Sequence, residues 1–262
     1  MLKSTRALVL DARPLGENDL VVALLEESGA LRRASVRGGQ SARHPWVGCF
    51  LLWSEVEAAF EAHDGPDRSG LARLELCTLV RSRFDSFADA EAGAYLHALA
   101  GLARSLAQEG LERPPLYRLM HEALDVAEEG RRAATLLYAS AWALRFEGIF
   151  PDPRRCTECG RAFGARGAWW LRKSRALACE RCYKGKAAPA LDAEALRVLG
   201  RVLRERPGVF ARSPLPHRAV RRAGRFVEKV FDDCLGLRLN PLTDFEKTAA
   251  RAARPRRRSV AA

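Results

Sequence analysis

The stretch Cys156-Thr157-Glu158-Cys159 and its counterpart Cys179-Glu180-Arg181-Cys182 decide how the second half of this chain folds. Each stretch holds two cysteines separated by two residues, and residues 160–178 lie between the two pairs. Two such turns direct four thiolates at one ion and complete a tetrahedral shell with no position left for water or substrate. The spacing therefore predicts a zinc ribbon with one structural Zn2+ ion bound by Cys156, Cys159, Cys179 and Cys182. A redox dithiol and a ribbon without metal are the alternatives.

Positive charge is concentrated in the part of the chain that contains these cysteines. Residues 151–262 carry 27 basic and 11 acidic side chains, a net charge of +16, whereas residues 1–80 and 81–150 each have a net charge of −2. A regional excess of this size indicates a polyanion as the partner. The same cations on a solvated face that keeps the protein soluble are the alternative.

Length, composition and motifs limit the classes of protein to which this chain can belong. A chain of 262 residues with 48% hydrophobic content favours two domains. We find neither the basic start and apolar run of a signal peptide nor an apolar run of about 18 residues, which predicts a cytoplasmic protein with no membrane partner. The five histidines are scattered, and neither a P-loop nor a Gly-x-Ser-x-Gly motif is present. We therefore expect no enzyme activity, no catalytic residue and no nucleotide cofactor.

The first eighty residues have the pattern of short strands. Apolar or alternating runs cover residues 6–10, 20–25, 31–37 and 50–60, and glycine-containing connections separate them. Several short strands in so few residues suggest a small β-barrel, because closure removes exposed sheet edges. The alternation of apolar and polar residues does not by itself identify the type of barrel.

The periodicity changes to that of amphipathic helices from about Phe87 onward. Helices are predicted near residues 95–106, 116–127, 134–146, 193–204 and 218–235. The fold class is thus α+β: a barrel over residues 1–80, then a helical domain over 81–250 with the zinc ribbon inserted at 150–186. The tail at 251–262 is rich in arginine and predicted to be disordered.

Three local sequences resemble the bacterial recombination mediator family RecO. They are Leu15-Gly16-Glu17-Asn18-Asp19, Val36-Arg37-Gly38-Gly39 and, most distinctive, residues 144–151, which lead through Cys156 to Cys159-Gly160. The resemblance implies that the barrel is an oligonucleotide-binding (OB) fold. It also implies a protein of DNA repair and recombination, cytoplasmic and associated with the nucleoid during repair. Such a protein binds single- and double-stranded DNA, anneals complementary strands and works with RecR to load recombinase onto DNA coated by single-stranded DNA-binding protein.

The residues suggest three candidate surfaces. The first surface lies in the barrel, where residues 30–50 hold four basic and no acidic side chains: Arg32, Arg33, Arg37 and Arg43. The second lies between the two cysteine pairs and carries Arg172, Lys173 and Arg175. These seven side chains are the candidate DNA contacts. A helix face suited to an acidic peptide, such as the tail of single-stranded DNA-binding protein, carries Arg218, Arg221, Arg222 and Arg225. The tryptophans Trp46, Trp169 and Trp170 either stack on bases or pack in the interior, and packing is the more common role.

Two other functions share some of these features. An RNA-binding zinc-ribbon factor has the same electrostatic pattern, and competition between DNA and RNA distinguishes it. A zinc-dependent nucleic-acid hydrolase needs an open coordination position and a placed base. No such ligand set accompanies the four cysteines in the sequence.

Overall fold

Five strands at the beginning of the chain form a closed barrel. The computed structural model describes residues 2–61, 71–128 and 131–252. The barrel strands are β1 (Leu2–Leu15), β2 (Asp19–Glu26), β3 (Leu31–Val36), β4 (Glu55–Glu61) and β5 (Ala72–Arg81). They follow one another around the barrel in the order β1-β2-β3-β5-β4, with β4 paired back to β1. All pairs are antiparallel except β3 with β5. This Greek-key closure is that of an OB-fold, and it confirms the expected barrel.

The barrel closes around the alternate side chains of its strands. Inward positions are apolar and fully buried at Ala7 and Val9 on β1, at Val22 and Leu24 on β2, and at Val36 on β3. Since successive side chains of a strand point to opposite faces, these two-residue steps place one face of every strand in the core. The prediction of strands from alternation is confirmed for β1, β2 and β3.

The second half of the barrel differs from the expectation. The predicted strand at residues 50–60 begins only at Glu55, because Trp53 adopts a left-handed conformation with φ 65° that ends any extended run before it. Strand β5 was not predicted at all. The register of β4 and β5 shifts beside Phe60, so the buried residues Leu74 and Cys77 stand three positions apart instead of two or four.

Gly29 in the β2–β3 turn is required by its surroundings. Its φ is +79°, and a Cβ at this position would overlap the carbonyl group of Arg113. We therefore expect Gly29→Ala to lower the free energy of unfolding by about 2 kcal/mol, from backbone strain and the displaced carbonyl together. Gly16→Ala is the matched control, because Gly16 has φ +61° but no neighbour within 4 Å of such a Cβ. Equal urea midpoints for the two variants would contradict the role of the close approach.

Seven α-helices follow the barrel in the described residues. They are α1 (Ala90–Leu106), α2 (Pro114–Glu128), α3 (Arg132–Phe146), α4 (Ala193–Val202), α5 (Pro207–Arg212), α6 (His217–Leu235) and α7 (Pro241–Ala252), and a short 3-10 helix at Phe84–Ala88 precedes them. The predicted helices are all present. Helices α5 and α7 were not predicted; α7 is held by Glu228 of α6, whose carboxylate accepts hydrogen bonds from the Thr243 amide and hydroxyl at 2.7 and 2.6 Å. No helix in the described ranges is long and apolar enough to cross a membrane.

The described residues group into two compact units, one within 1–89 and 100–121 and the other within 90–99 and 122–252. Helix α1 thus contributes to both. The domain limits given above from the sequence stay a prediction. The predicted disordered tail falls almost entirely on residues 253–262, which lie outside the described residues.

Candidate metal centre and nucleic-acid interface

The first cysteine pair lies in a tight turn that follows α3. The Cys156 amide donates to the Arg161 carbonyl at 2.8 Å, and the Gly160 amide donates to the Cys156 carbonyl at 2.9 Å. Gly160 completes the turn at φ 69°, a conformation that glycine adopts at little cost. Both thiols of the pair are thereby directed to the same side of the turn.

The second pair is brought to the first by a small hairpin. Strands β6 (Trp169–Leu171) and β7 (Ala176–Ala178) pair antiparallel, and Cys179 follows β7 directly. The Thr157 amide donates to the Leu177 carbonyl at 3.0 Å, which ties the first turn to β7. The Cys182 amide donates to the Cys179 carbonyl at 3.0 Å and closes the second turn.

The four thiols form a group that suits one metal ion. Their sulfur atoms all lie within 4.8 Å of one another, and the sulfurs of Cys159 and Cys179 are 3.8 Å apart. A tetrahedral zinc with bonds of about 2.3 Å places its sulfur ligands about 3.8 Å from each other. In the described part of the chain, no other group of three or more His, Cys, Asp or Glu side chains is close enough to hold an ion. The donor set therefore fits the predicted ion.

The thiols differ in how readily they ionise. Burial opposes ionisation of Cys156, but amide donors from Cys179, Cys159 and Glu158 outweigh it and lower its pKa to about 6. The amide of Cys182 likewise lowers the pKa of Cys179. Hydrogen bonds to Cys159 and Cys179 raise the pKa of the Cys182 thiol to about 12. Since packed thiolates repel one another, a divalent cation is what allows all four to be deprotonated together.

Asp233 of α6 anchors the ribbon to the helices. Its side chain is only 2% exposed and accepts from the Trp170 indole at 2.7 Å, from Arg172 at 2.9 Å and from Lys229 at 3.3 Å. The Trp170 ring also meets Phe226 edge-on, with centroids 5.5 Å apart. A buried carboxylate with three donors fixes the direction of the hairpin. Sequence reasoning missed Asp233, because nothing in the sequence shows which acid of α6 meets the ribbon.

The three tryptophans named in the sequence analysis pack against other parts of the protein: Trp169 is buried, and Trp46 and Trp170 are partly buried. The Trp169 indole donates to the Ala187 carbonyl at 2.8 Å and its ring stacks on Tyr183. Trp170 packs against α6 as described above, and Trp46 packs against the apolar core of the barrel. The expectation that these rings have packing roles is confirmed.

Most of the exposed cations of the ribbon fall into two groups, whereas Arg155 donates to the Gly160 carbonyl at 3.2 Å. Arg154, Arg166 and Arg172 form ion pairs with Asp152, Glu180 and Asp233. The second group has no acidic partner among the residues that the structure describes, and all its members are exposed: Arg161, Lys173, Arg175, Arg181, Lys184 and Lys186. This second group, which we call the free ribbon cations, is a dense local source of unneutralised positive charge.

The barrel arginines divide in the same way. Arg32 pairs with Glu26 and lies over the Phe60 ring, with its guanidinium 4.9 Å from the ring centroid. Arg33 pairs with Glu109. Arg37 and Arg43 are exposed and have no acidic partner within the described ranges. Of the seven candidate DNA contacts, therefore, Arg37, Arg43, Lys173 and Arg175 are free, and the other three are held by carboxylates.

The four arginines of α6 line one groove. The groove has a volume of about 500 Å3. Its lining consists of Ala190, His217, Arg218, Arg221, Arg222, Arg225, Phe226 and Lys229. Arg221 is held by Glu246 at 2.9 Å, and Arg222 is held by the Pro189 carbonyl at 2.7 Å and by Asp192 at 3.5 Å. Arg218 and Arg225 have no acidic partner in the described part of the chain. We call this feature the α6 groove.

A closed five-stranded OB barrel, a helical body and a four-cysteine ribbon together form an architecture found in nucleic-acid-handling proteins. The chain matches the family described as "Recombination protein O C terminal" over residues 88–242. It is 24% identical to "DNA repair protein RecO" of Koribacter versatilis (strain Ellin345) over 94% of this chain and 99% of that protein. It is 28% identical to "DNA repair protein RecO" of Anaeromyxobacter sp. (strain K), over 88% and 91%. The chain belongs to the RecO family of DNA repair and recombination proteins.

Proposed function

We propose that this protein is a DNA-binding recombination mediator that binds single- and double-stranded DNA and anneals complementary strands. The observation that carries the proposal is the group of free ribbon cations, six exposed basic side chains without acidic partners among the described residues. Cations of this kind neutralise phosphates and reduce the repulsion that opposes the pairing of two strands. Annealing then requires no bond to be broken and no catalytic residue.

The same proposal assigns one zinc ion to the four cysteines. Four thiolates fill a tetrahedral shell, so the ion stiffens the ribbon and holds the cations in place. An ion in such a shell has no open position at which to activate water, and the protein is accordingly proposed to be a binder rather than a hydrolase. The OB barrel, with Arg37 and Arg43 free of acidic partners in the described ranges, adds a second phosphate-binding surface.

The experiment that tests the function combines metal content with strand annealing across a salt series. We expect about one zinc per chain and an affinity for DNA that falls steeply as salt rises, with little dependence on base sequence. The same titration with RNA of matched sequence separates a DNA mediator from an RNA-binding factor. Strong binding that ignores ionic strength, or a preference for RNA, would overturn the proposal.

The α6 groove is proposed to bind an acidic peptide, such as the tail of single-stranded DNA-binding protein. Its volume of about 500 Å3 and its cations support this role: Arg221 and Arg222 pair with acidic side chains of the protein, which leaves Arg218 and Arg225 to pair with a ligand. RecR is proposed as a further partner in loading recombinase. That part of the proposal rests on membership of the RecO family.

The double substitution Arg218→Gln and Arg225→Gln tests the groove. We expect the affinity for a labelled peptide with that acidic tail to fall about tenfold, since two partly exposed charge pairs contribute about 1–2 kcal/mol together. Fluorescence anisotropy measures the binding. The matched control is Arg73→Gln with Arg197→Gln, which removes the same charge from exposed positions outside the groove. Equal losses in the two variants would mean that net charge, and not the groove, attracts the peptide.

A further inference from the structure

Three aromatic rings follow one another along α3 at four-residue spacing. The centroids of Tyr138 and Trp142 are 6.1 Å apart, and those of Trp142 and Phe146 are 5.7 Å apart. Burial decreases along the series: Tyr138 is buried, Trp142 is half-buried and Phe146 is 41% exposed. The series, which we call the α3 ladder, therefore ends in an aromatic ring that faces solvent.

The buried end of the α3 ladder is fixed by hydrogen bonds. The Trp142 indole donates to the Val202 carbonyl at 3.0 Å, and the Tyr138 hydroxyl donates to the Glu205 carbonyl at 3.0 Å. The Tyr138 ring also contacts Phe210, with centroids 5.6 Å apart. The connection between α4 and α5 is thereby held against α3, and the rings are rigid before any ligand arrives.

Positive charge lies near both ends of the ladder: Arg145 precedes Phe146 in the chain, whereas Arg204 and Arg206 flank Glu205, whose carbonyl meets Tyr138. The guanidinium of Arg145 lies 5.3 Å from the centroid of the Trp142 ring. Arg204 and Arg206, in the connection between α4 and α5, are exposed, and no acid of the described chain forms an ion pair with them. Glu205 lies between them but is paired with Arg201 at 2.6 Å. The ladder thus has an exposed ring and a stacked guanidinium at one end and, near its Tyr138 end, two exposed cations that form no ion pair in the described residues.

We propose that Arg145 and Phe146 form a stacking platform for bases of single-stranded DNA, with Arg204 and Arg206 as contacts for phosphates further along the same strand. Nucleic acid satisfies both features at once, because every base offers a π-face and every nucleotide a negative charge. An apolar protein surface over Phe146 would leave the neighbouring guanidinium of Arg145 without a partner. The inference rests on the proposed function. It adds a surface that contacts bases, whereas the basic side chains of the proposed function contact phosphates.

The test compares two ligands of equal charge. Wild-type protein, Phe146→Ala and Phe146→Leu are titrated with an oligothymidylate and with an abasic oligonucleotide of the same length. We expect both variants to bind the oligothymidylate about 5- to 100-fold more weakly than wild type, because the stacking interaction is lost. Affinity for the abasic strand, and the salt dependence of both, stay unchanged. Leu111→Ala is the control, since Leu111 is 39% exposed and lies outside the ladder.

The outcomes separate this inference from the proposed function. Wild-type protein that binds neither ligand overturns both. Wild-type protein that binds oligothymidylate as tightly as Phe146→Ala does, or variants that lose equal affinity for both ligands, overturn the stacking platform alone. As a second measurement, an oligonucleotide with one 5-iododeoxyuridine is photocrosslinked and the protein digested with trypsin. We expect the crosslink in the peptide 146–154 and its loss in Phe146→Ala; crosslinks confined to other peptides contradict the assignment.

Discussion

Replacement of Cys156 by serine is expected to release the metal from the ribbon and unfold it locally. Cys156 is the most buried of the four cysteines, at 1% exposure, and its amide closes the first turn. Structural zinc contributes about 10–16 kcal/mol to folding, so one ligand of four is worth roughly 3 kcal/mol of binding free energy. We therefore expect zinc content to fall from about one per chain to a small fraction after dialysis against a chelator.

Local unfolding of the ribbon can be distinguished from unfolding of the whole protein. The ribbon contains two strands of three residues and no helix, so the helical circular dichroism signal should be retained. Trypsin cleavage at the free ribbon cations should become much faster, because these side chains then lie on an unfolded segment. Cys234→Ser is the matched control, since Cys234 is partly buried and outside the metal group. Unchanged metal content and unchanged proteolysis in Cys156→Ser would refute the structural role of the ion.

Local sequence patterns predicted the parts of this fold that depend on local chemistry. Two pairs of cysteines at fixed spacing predicted one shared site, and the structure brings the four sulfur atoms within 4.8 Å of one another. Helix α6 follows directly from its periodic apolar residues, and its glycine stop at Gly236 is observed with φ 65°. The two cysteine turns and the helix are set by contacts between residues that are close in the chain.

Other features depend on residues that are distant in the chain, and the sequence did not reveal them. Strand β5 escaped prediction because a register shift against β4 breaks its alternation. The candidate DNA contacts were chosen by charge alone, whereas Arg33 meets Glu109, 76 positions away, and Arg172 meets Asp233. A basic side chain is most available to phosphate where no carboxylate pairs with it, and that pairing is decided by tertiary structure.

Removal of cations that have no acidic partner is expected to lower the affinity for DNA strongly. We expect the triple substitution Lys173→Gln, Arg175→Gln and Lys184→Gln to weaken binding of single-stranded DNA by roughly 2–3 kcal/mol at low salt. Each of the three cations is exposed and without an acidic partner in the described chain, so each can replace a counterion on a phosphate. The slope of the logarithm of affinity against the logarithm of salt should decrease by about 2, at about 0.7 per phosphate contact.

The matched control removes the same charge from cations that are already paired. Arg13, Arg73 and Arg197 are exposed and lie beside Asp11, Glu75 and Glu194, so their replacement by glutamine lowers the net charge equally. Because those arginines bind protein carboxylates, we expect the salt slope of the control to stay close to that of wild type. The salt slope measures the number of phosphate contacts, whereas the loss of net charge lowers the DNA affinity of both variants by the same amount. Equal slopes in the two variants would therefore show that DNA is held by the general field of the protein, and a reduced slope in the ribbon variant alone would locate the contacts on the free ribbon cations.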